Sequence, residues 1–317
     1  MTDAVARWRG PQDWRRDGTE PALSLGAKGT FDDMHIFAPC VAQENGEYRM
    51  WYAGSRGEVA RRVFAVGLAT SRDGVRFERY AAAPVLSLGD GERSVLTPTL
   101  LRNADGSLCR EGGRLRMWFS CCDFPSGNPL HTLHESASGD GIAWDDPSGP
   151  ELENVYAPTV IKEGSAYRMW YSDVSADPWC IRRADSGDGR RWTVAARPAL
   201  ELWQAWERRR LFYPTVVKAD GVYLMWYGSY RADAAEMKTS LGFAVSRDGC
   251  EWEKAACNPV FGPDASREWE SHFTTSQTVL RDADGTWRMW YATRTRPPFV
   301  HKYFAIGAAR WHGPASA

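Results

Sequence analysis

Two short stretches of the chain place a carboxylate two residues before a histidine, Asp33-Met34-His35 and Glu270-Ser271-His272. In an extended segment, residues i and i+2 point to the same side, so each carboxylate can lie beside its own imidazole. Such a pair can transfer protons, because the carboxylate orients the ring. If the two stretches meet, His35 and His272 could instead bind a divalent metal ion. Hydrogen bonding between neighbouring loops is the structural alternative.

Five copies of a Met-Trp motif supply the frame in which these stretches lie. The motif tryptophans are 52 to 67 residues apart: Trp51, Trp118, Trp170, Trp226 and Trp290. An apolar segment precedes each copy, with a proline at its centre in four units and Gln277 in the fifth. A third apolar segment follows, and in four units a Ser-x-Asp-Gly turn comes after the motif. Such a repeat is typical of stacked supersecondary units, and the turns predict four-stranded antiparallel meanders.

The repeat predicts an all-β fold, a five-bladed β-propeller of four-stranded antiparallel blades. The fifth unit ends after its third strand, and Trp14 precedes Pro21-Ala22-Leu23 at the spacing that frames the fourth strand elsewhere. We therefore expect an N-terminal strand around Trp14–Leu23 to complete the C-terminal blade and close the ring. The whole chain, residues 1–317, is then one domain, with blades at about 31–90, 91–150, 151–203, 207–263 and 268–311 plus 8–25.

Composition restricts the function classes. A net charge of −1 argues against nucleic acid and against a membrane as partner, because neither is attracted by a neutral surface. Seven cysteines, of which only Cys121 and Cys122 are close in sequence, indicate neither a disulfide framework nor a zinc knuckle. The N-terminus has no apolar run of signal-peptide length, and no later run could span a bilayer. We therefore expect a cytoplasmic protein.

Connectivity predicts which face of the propeller carries the site. The first and third turns of a meander lie on one face, here called the turn face. The second loop and the crossing to the next blade lie on the other, the loop face. Tight Asp-Gly turns fall on the turn face, and their aspartates are expected to be structural. Long loops are where ligand sites are common, and the loop face holds most histidines: His35, His131, His134, His272 and His301.

Arginines and tryptophans of the loop face are the candidate binding groups. Arg93, Arg210 and Arg231 could hold an anionic or polyhydroxyl group, and Asp173 ends a Met-Trp strand at the same rim. Tryptophan faces suit sugar rings, which adds a second set: Trp203, Trp206 and Trp269. Packing beneath the loops is the alternative for these tryptophans.

The units at 157–172 and 246–260 carry a family resemblance. With the sequences Ala-Pro-Thr-Val-Ile … Tyr-Arg-Met-Trp-Tyr-Ser and Ser-Arg-Asp-Gly-Cys-Glu-Trp … Asn-Pro-Val, they resemble glycoside hydrolase family 43 and the related five-bladed propellers of families 32 and 130. The resemblance covers essentially the whole chain. It implies carbohydrate-active chemistry at the centre of the disc, with an Asp from each of the first two blades and a Glu from a later blade.

The chain departs from that family at the catalytic positions. The family's first acid directly precedes a proline, where this chain has Ala38. Its second acid directly follows a proline, where this chain has Thr99, Thr159 and Thr215. Its Glu lies two residues before a proline, where this chain has Phe37, Leu96, Tyr156 and Phe212. Other acids must therefore take over, or the fold serves another use.

The leading hypothesis is a carbohydrate-active enzyme that acts on a glycoside or sugar-like small molecule in a central pocket. Asp33 is the expected base, positioned by His35, and Glu153 or Glu270 is the expected general acid. One alternative is a non-hydrolytic enzyme, a lyase, isomerase or group-transfer catalyst that uses the histidines with or without a metal ion. The other is a non-catalytic propeller that binds sugar.

Overall fold

The structure, a computed structural model, describes residues 4–58, 61–124, 130–295 and 304–314 and is almost entirely β-sheet. A short helix, α1 (Ala4–Trp8), precedes two short strands, β1 (Arg15–Arg16) and β2 (Leu23–Ser24). Blade 1 consists of β3 (His35–Glu44), β4 (Glu47–Ser55), β5 (Phe64–Ser71) and β6 (Glu78–Arg79). Blade 2 consists of β7 (Ser94–Leu100), then, after the extra strand β8 (Arg102–Asn103), of β9 (Leu115–Cys122), β10 (Thr132–Ser138) and β11 (Ser148–Glu153).

The remaining blades repeat this order. Blade 3 has β12 (Val155–Glu163), β13 (Ala166–Asp173), β14 (Cys180–Ser186) and β15 (Thr193–Val194). Blade 4 has β16 (Glu207–Ala219), β17 (Val222–Arg231), β18 (Thr239–Ser246) and β19 (Glu253–Lys254). Blade 5 follows a 3₁₀ turn (Glu268–Glu270) and has β20 (Phe273–Arg281), β21 (Trp287–Arg294) and β22 (Ala305–Trp311). No helix in these ranges is long and apolar enough to cross a membrane.

The five antiparallel blades and the closure of the ring confirm the sequence prediction. β1 and β2 both pair with β22, with Arg15 opposite Arg310 and Leu23 opposite Ile306. The N-terminal segment therefore supplies the outer edge of blade 5, as expected. The outer strand of blade 2 runs to Glu153, three residues past the predicted boundary. Tyr303 and His301 lie outside the described residues.

The motif tryptophans join neighbouring blades. The indole N–H of Trp51 donates to the carbonyl of Gly141, in the Asp-Gly turn of the next blade, at 2.9 Å. The same bond links Trp118 to Gly189, Trp170 to Gly249 and Trp290 to Gly74 at 2.8–3.1 Å. At the junction between blades 4 and 5, the sequence of blade 5 has no such Asp-Gly turn. The indole N–H of Trp226 donates to Gln12 Oε1 at 2.9 Å instead. Each indole is fully buried, so a satisfied N–H avoids the cost of an unpaired donor.

The aspartates of these turns are structural, as predicted. Asp73 Oδ1 accepts from the backbone N–H groups of Val75 and Arg76 at 2.8 and 3.0 Å. Asp140, Asp188 and Asp248 bind their own turns in the same way. These backbone donors lower the pKa of Asp73 and keep the carboxylate ionised.

A ring of five left-handed residues narrows the central channel. Each innermost strand shifts register at the same point of its blade, and one residue at that shift has positive φ: Ala38 (51°), Thr97 (50°), Ala157 (51°), Tyr213 (53°) and Ser276 (44°). The inner strand of blade 4 also shifts a second time, between Arg208 and Leu211. All five left-handed residues line a small cavity of about 50 Å³ on the axis. The left-handed region is sterically costly for non-glycine residues. The bulge therefore pins the register of every inner strand and turns the same position of each blade toward the channel.

The long connection between β7 and β9 contacts three other blades on the turn face. Arg102 of β8 lines the cavity and donates to the carbonyl of Val41 in blade 1. β8 also pairs in parallel with β12 of blade 3, and the carbonyl of Ala104 accepts from Lys218 N–H of blade 4 at 2.7 Å. The first turn of blade 2 is therefore long, whereas the sequence predicted tight turns on this face.

Candidate functional site

Three blades share a buried group of three side chains, here called a bracing triad, with a glycine beside it. In blade 1, Asp32 accepts from Tyr52 Oη at 2.8 Å and from Arg79 Nε at 2.7 Å. The facing residue on the third strand is Gly67, where a Cβ would lie only 2.7 Å from the Tyr52 ring. Glycine is thus required for the phenol to reach the acid.

Blades 4 and 5 repeat the arrangement. Glu207 accepts from Tyr227 Oη at 2.8 Å and from Lys254 Nζ at 2.6 Å, with Gly242 beneath the ring. Glu270 accepts from Tyr291 Oη and Arg16 Nε, both at 2.9 Å, with Gly307 beneath the ring. Each acid lies six residues before its left-handed residue. Burial raises the pKa of the Glu270 carboxyl, and the Arg16 guanidinium opposes that shift.

This repetition corrects the alignment of the two carboxylate-x-His stretches. Glu270 corresponds to Asp32 and not to Asp33, since Asp32 makes the equivalent tyrosine and arginine bonds. Glu270 is fully buried in contact with Arg16 of β1, so it ties the N-terminal strand to blade 5. The contacts of Glu270 with Arg16 and Tyr291 therefore give this carboxylate a structural role that does not require catalysis.

Asp33 and His35 occupy different environments. Asp33 is half-buried in the crossing before β3, where one oxygen accepts from Gly29 N–H at 2.7 Å. Its other oxygen, Oδ1, is buried and has no hydrogen-bond partner among the described residues. His35 is fully buried, with Nδ1 2.8 Å from Ser55 Oγ and its ring stacked on Phe64. The predicted Asp33–His35 contact is not among these interactions.

His272 does have a carboxylate partner, but a different one from that expected. Its Nε2 lies 2.7 Å from Oε2 of Glu236, and its Nδ1 lies 3.1 Å from Ser271 Oγ. Glu236 comes from the loop between β17 and β18 of blade 4, so the pair bridges two blades. His272 is buried, whereas the Glu236 side chain is about half exposed. The carboxylate–imidazole pairing predicted at this position thus exists with Glu236 in place of Glu270.

Most of the charged residues that the sequence predicted as ligand-binding groups already pair with other side chains at the edge of the loop face. Arg93 pairs with Asp90 at 2.7 Å and Arg231 pairs with Asp233 at 2.5 Å. Asp173 is buried and accepts from Arg182 Nε at 2.6 Å. Glu153 is exposed at the end of β11, where its backbone pairs with Thr132. These residues line the edge of the loop face and do not meet at the axis cavity.

The three predicted tryptophans also separate. Trp206 is buried beside Tyr227, and its indole donates to Gln204 Oε1 at 2.9 Å. Trp269 donates to the carbonyl of Thr19 and so helps hold the N-terminal segment. Trp203 has 66% of its surface exposed and lies 5.3 Å from Lys254 Nζ. Packing under loops therefore accounts for Trp206 and Trp269, and Trp203 remains available to a ligand.

No shared metal site is formed by the predicted histidines within the ranges that the structure describes. His35 contacts Ser55 and Phe64, whereas His272 contacts Ser271 and Glu236. Across those same ranges, no three His, Cys, Asp or Glu side chains are grouped as metal ligands.

A continuous set of aromatic rings lies on the loop face, and we call it the aromatic mouth. It runs through four blades, and neighbouring ring centres are 4.8–6.2 Å apart: Phe37, Phe64, Phe124, His131, Tyr156, Trp179, Tyr213, Phe212 and Tyr230. The innermost strands supply Phe37, Tyr156, Phe212 and Tyr213, and the loops and strand ends around them supply the rest.

Tyr156 is the hub of this mouth. Its hydroxyl lies 2.5 Å from that of Tyr213, one of the five left-handed residues that line the axis cavity. Its ring contacts His131 at 4.8 Å and Trp179 at 5.8 Å. Tyr156 occupies a position where the family resemblance places a Glu, so a phenol stands there instead. A phenol pair beside an imidazole can donate, accept and move protons.

Two guanidinium groups lie over the outer rings of the mouth. Arg62 is half-buried with its guanidinium carbon 4.2 Å from the centre of the Phe124 ring. Arg210 lies at the same distance over Trp179, and its nearest carboxylate is that of Asp177 at 3.4 Å. Burial lowers the pKa of Arg62, and its charge interacts with the Cys122 thiol and the Tyr156 phenol. Of these two cations, the sequence singled out only Arg210.

The five axis-facing positions at the ring of left-handed residues contain no carboxylate: Ala38, Thr97, Ala157, Tyr213 and Ser276. The only charged side chain among the described residues that line the cavity is Arg102. The pair of carboxylates that glycosidases ordinarily use is therefore not centred on this cavity.

Sequence reasoning did not select Tyr156, Tyr213 or Arg62, and it mentioned His131 only as one of several loop histidines. The signal for the tyrosines was present in the inner strands. Tyr213 directly precedes Pro214, where the other blades have alanine, threonine or serine, and Tyr156 lies two residues before Pro158. Arg62 and Phe124 gave no such signal, because they belong to loops without a repeat.

Solved structures of similar fold share this architecture. A structure described as a glycoside hydrolase matches with a TM-score of 0.75 and 15% identity, over 96% of this chain and 93% of that one. A GH130 structure, reported for glycoside hydrolases that target beta-1,2 mannosidic linkages in Candida mannan, matches with a TM-score of 0.73 and 15% identity, over 97% and 96%. The fold is that of the glycosidase-type five-bladed propellers. At this identity, the likeness extends to the fold alone.

Two further comparisons bear on function less directly. An N-acetylgalactosamine deacetylase from F. plautii, solved with blood group B trisaccharide, matches with a TM-score of 0.69 and 12% identity, over 94% of this chain and 95% of that one. Among curated proteins, an uncharacterized protein of Mycobacterium tuberculosis is 26% identical over 222 residues, which cover 66% of this chain and 71% of that protein. No family model matches the sequence.

Proposed function

We propose that this protein is a carbohydrate-active enzyme that binds a glycoside or sugar-like small molecule at the aromatic mouth. The observation that carries the proposal is the continuous set of rings on the loop face of a glycosidase-type propeller. Ring faces suit the C–H surfaces of a sugar, and a few polar groups fix its orientation.

Proton transfer in this proposal is assigned to His131 and the Tyr156–Tyr213 phenol pair. Their contacts at 4.8 and 2.5 Å bring an imidazole and two hydroxyls to one point of the mouth. Imidazole titrates near neutral pH, and tyrosine is an established acid–base group. Of the three, Tyr156 stands at a position where the family resemblance implies a Glu.

The carboxylate assignment remains the rival within the same function. Asp33 has the best support as a base, because one buried oxygen has no hydrogen-bond partner among the described residues. Glu270 has less support as the acid, since Arg16 and Tyr291 already bind it, and Glu153 is exposed. If Asp33→Asn abolishes turnover while Tyr156→Phe does not, the rival assignment replaces ours.

A non-catalytic sugar-binding propeller is the second candidate. The observation that favours it is the ring of five axis-facing positions without a carboxylate. A non-hydrolytic enzyme on the same scaffold is a variant of the first proposal. The deacetylase of similar fold supports keeping it open, since that protein acts on a sugar without being described as a glycosidase.

The deciding experiment is a calorimetric titration of the purified protein with a panel of monosaccharides, disaccharides and aryl glycosides, followed by chromatography for products. We expect saturable binding and product formation for at least one class, both weakened by His131→Gln. His312→Gln is the matched control, because His312 follows β22 away from the aromatic mouth. Saturable binding without product would support the second candidate, and no binding across the panel would contradict both.

A further inference from the structure

The cavity on the propeller axis contains a buried charge that the proposed function does not use. Arg102 of β8 lines this cavity and is only 6% exposed. Its guanidinium donates to three uncharged acceptors, the carbonyls of Val41 and Gly106 at 2.5 and 3.1 Å and the sulfur of Cys40 at 3.6 Å. Within the described ranges, Arg102 forms no ion pair with a carboxylate. Buried charges are normally paired, so an anionic partner would stabilise Arg102.

One acid shares a surface cleft with Arg102 but does not neutralise it. Asp282 and Arg102 both line a cleft of about 100 Å³. The Asp282 carboxylate accepts from Arg288 Nε at 2.6 Å and from Tyr48 Oη at 2.9 Å, so Arg288 already balances its charge. On the cavity side, the other described residues of the wall are uncharged. The charge of Arg102 is therefore balanced from neither side.

A ring of small polar side chains lies around the axis beside Arg102. Two residues after its left-handed residue, each inner strand contributes one member to the cavity wall, and we call the five the threonine ring: Cys40, Thr99, Thr159, Thr215 and Thr278. The sulfur of Cys40 accepts from Arg102, which brings the guanidinium to this ring. Thr215 Oγ1 donates to the carbonyl of Gln277 at 2.8 Å.

The other three hydroxyls of the threonine ring are uncommitted donors. The side chains of Thr99, Thr159 and Thr278 form no hydrogen bond with another described residue. A threonine hydroxyl can donate one hydrogen bond, and a guanidinium has five N–H groups, of which Arg102 uses three here. Donors from three blades and one cation therefore surround a single small space.

We propose that the axis cavity binds a small inorganic anion, a halide or an oxyanion, held by Arg102 and the threonine ring. The cavity has a volume of about 50 Å³. Since one water needs roughly 10–15 Å³ of such space, the cavity holds about four particles of that size and is too small for a sugar ring. The anion is therefore a different ligand from the sugar of the proposed function, and neither proposal depends on the other.

Gln277 adds one acceptor to the cavity wall, and the volume accommodates it. Its Nε2 donates to the carbonyls of Tyr213 and Trp226 at 2.6 and 2.9 Å, which fixes the orientation of the amide. Its Oε1 is buried and has no hydrogen-bond partner among the described residues. An acceptor repels an anion in direct contact, but a water between the two can donate to both. Space for about four particles suffices for one ion and such a water.

The test uses thermal unfolding, because a ligand that binds only the folded protein raises its melting temperature. The purified protein is unfolded in sodium chloride, sodium bromide, sodium phosphate and sodium gluconate at equal ionic strength, and gluconate is too large for the cavity. We expect the halides or phosphate to raise the melting temperature above its value in gluconate. Which of them does so distinguishes a halide site from an oxyanion site.

Three variants separate this site from general salt effects, since phosphate also stabilises proteins by its exclusion from their surface. Arg102→Gln removes the cation, and Thr99→Val removes one donor. Thr193→Val is the control, because Thr193 is exposed on β15. From the dependence of the melting temperature on anion concentration, Arg102→Gln should weaken binding at least about tenfold, as loss of a charge-assisted hydrogen bond warrants. Thr99→Val should weaken binding less, and Thr193→Val should respond as the wild type does.

The readout is the response to the anion and not the stability of the variant itself. Equal melting temperatures of the wild type in all four salts would overturn the proposal. Persistence of the wild-type response in Arg102→Gln, or in Thr99→Val if the arginine variant does not fold, would also overturn it. Either result would leave the proposed function standing, because sugar binding is measured separately.

Discussion

The bracing triads and the aromatic mouth both place tyrosines near the loop face, but they are built on opposite principles. The triad tyrosines Tyr52, Tyr227 and Tyr291 occupy one position of the Met-Trp strand, and each meets a buried acid. Tyr156 and Tyr213 occupy different positions of the inner strands and meet each other. Groups that recur with the blade symmetry brace the scaffold, whereas groups that break it are the candidates for ligand chemistry.

Tyrosine-to-phenylalanine substitutions separate the two regions most strongly. Tyr156→Phe should lower turnover of the best substrate from the panel by about 10²–10⁴, the range for loss of an acid–base group. Tyr52→Phe should leave turnover unchanged and instead destabilise the fold by about 1–3 kcal/mol, because Asp32 loses a buried donor. Steady-state kinetics and urea unfolding measure the two effects. Full turnover in Tyr156→Phe would show that the mouth is not the reaction centre.

Removal of a triad acid should be the largest effect on stability. The Glu207 and Lys254 side chains are both fully buried, so Glu207→Leu leaves the Lys254 ammonium buried without its partner. The free energy of unfolding should fall by about 3–5 kcal/mol. Chemical denaturation gives this value. Glu253→Gln, one residue before Lys254 but exposed, is the matched control and should cost less than about 1 kcal/mol. Adding Lys254→Met to Glu207→Leu should recover much of the loss, and failure to do so would mean that the pair is not the cause.

The glycine of a triad should be nearly as sensitive. In Gly242→Ala, the new Cβ would lie 2.5 Å from the Tyr227 ring, and overpacking of this kind costs about 1–3 kcal/mol. Gly139→Ala is the control, since a Cβ there meets no atom within 4 Å. Thermal unfolding of both variants checks the prediction. Equal melting temperatures would indicate that the phenol does not need the glycine.

Glu151 of β11 offers the subtlest test, because it lies at the sequence position of a triad acid but meets Ser148 and Trp192 instead of a tyrosine and a base. Glu151 lies six residues before Ala157, as the triad acids lie before theirs, but Val194 stands where Arg79 and Lys254 stand. Burial raises the pKa of Glu151 to about 7, from the ordinary 4.5, with the nearby Glu135 carboxylate adding to the shift.

The sign of the pH effect follows from that shift. A carboxyl with a raised pKa in the folded state stabilises the fold below its unfolded pKa and loses this contribution as pH rises through 7. As pH rises from 4.5 to 7.5, the free energy of unfolding of the wild type should fall by roughly 1–2 kcal/mol relative to that of Glu151→Gln. Glu153→Gln, exposed and two residues away, should follow the wild type. Urea midpoints at several pH values measure the difference, and parallel curves for wild type and Glu151→Gln would contradict it.

The architecture could be predicted from sequence because it depends on signals that repeat. Tryptophans in register, prolines in the inner strands and Asp-Gly turns recur in blade after blade, and the missing strand of blade 5 was visible at the N-terminus. Each signal corresponds to a bond that the fold needs, such as the donation from Trp51 to Gly141.

The site was harder to predict because a one-residue offset decides what a side chain does. Asp32 and Asp33 are adjacent, and only the tyrosine and arginine bonds show that Asp32 belongs to the triad. The sequence pattern paired His272 with Glu270, whereas the imidazole meets Glu236, which comes from a loop of another blade. Contacts between unrepeated loops leave no periodic trace in the sequence.

The closure of blade 5 has a consequence for how the chain folds. β1 and β2 meet β22 across nearly 300 residues of sequence, and Glu270 is neutralised by Arg16 only when they do. Gln12 must also arrive before the indole of Trp226 is satisfied. Contacts of such sequence separation are slow to form, because the entropy of closing the loop is lost before any bond is gained. We therefore expect the ring to close late in folding, and until it closes the Trp226 indole and the Glu270 carboxylate lack these partners.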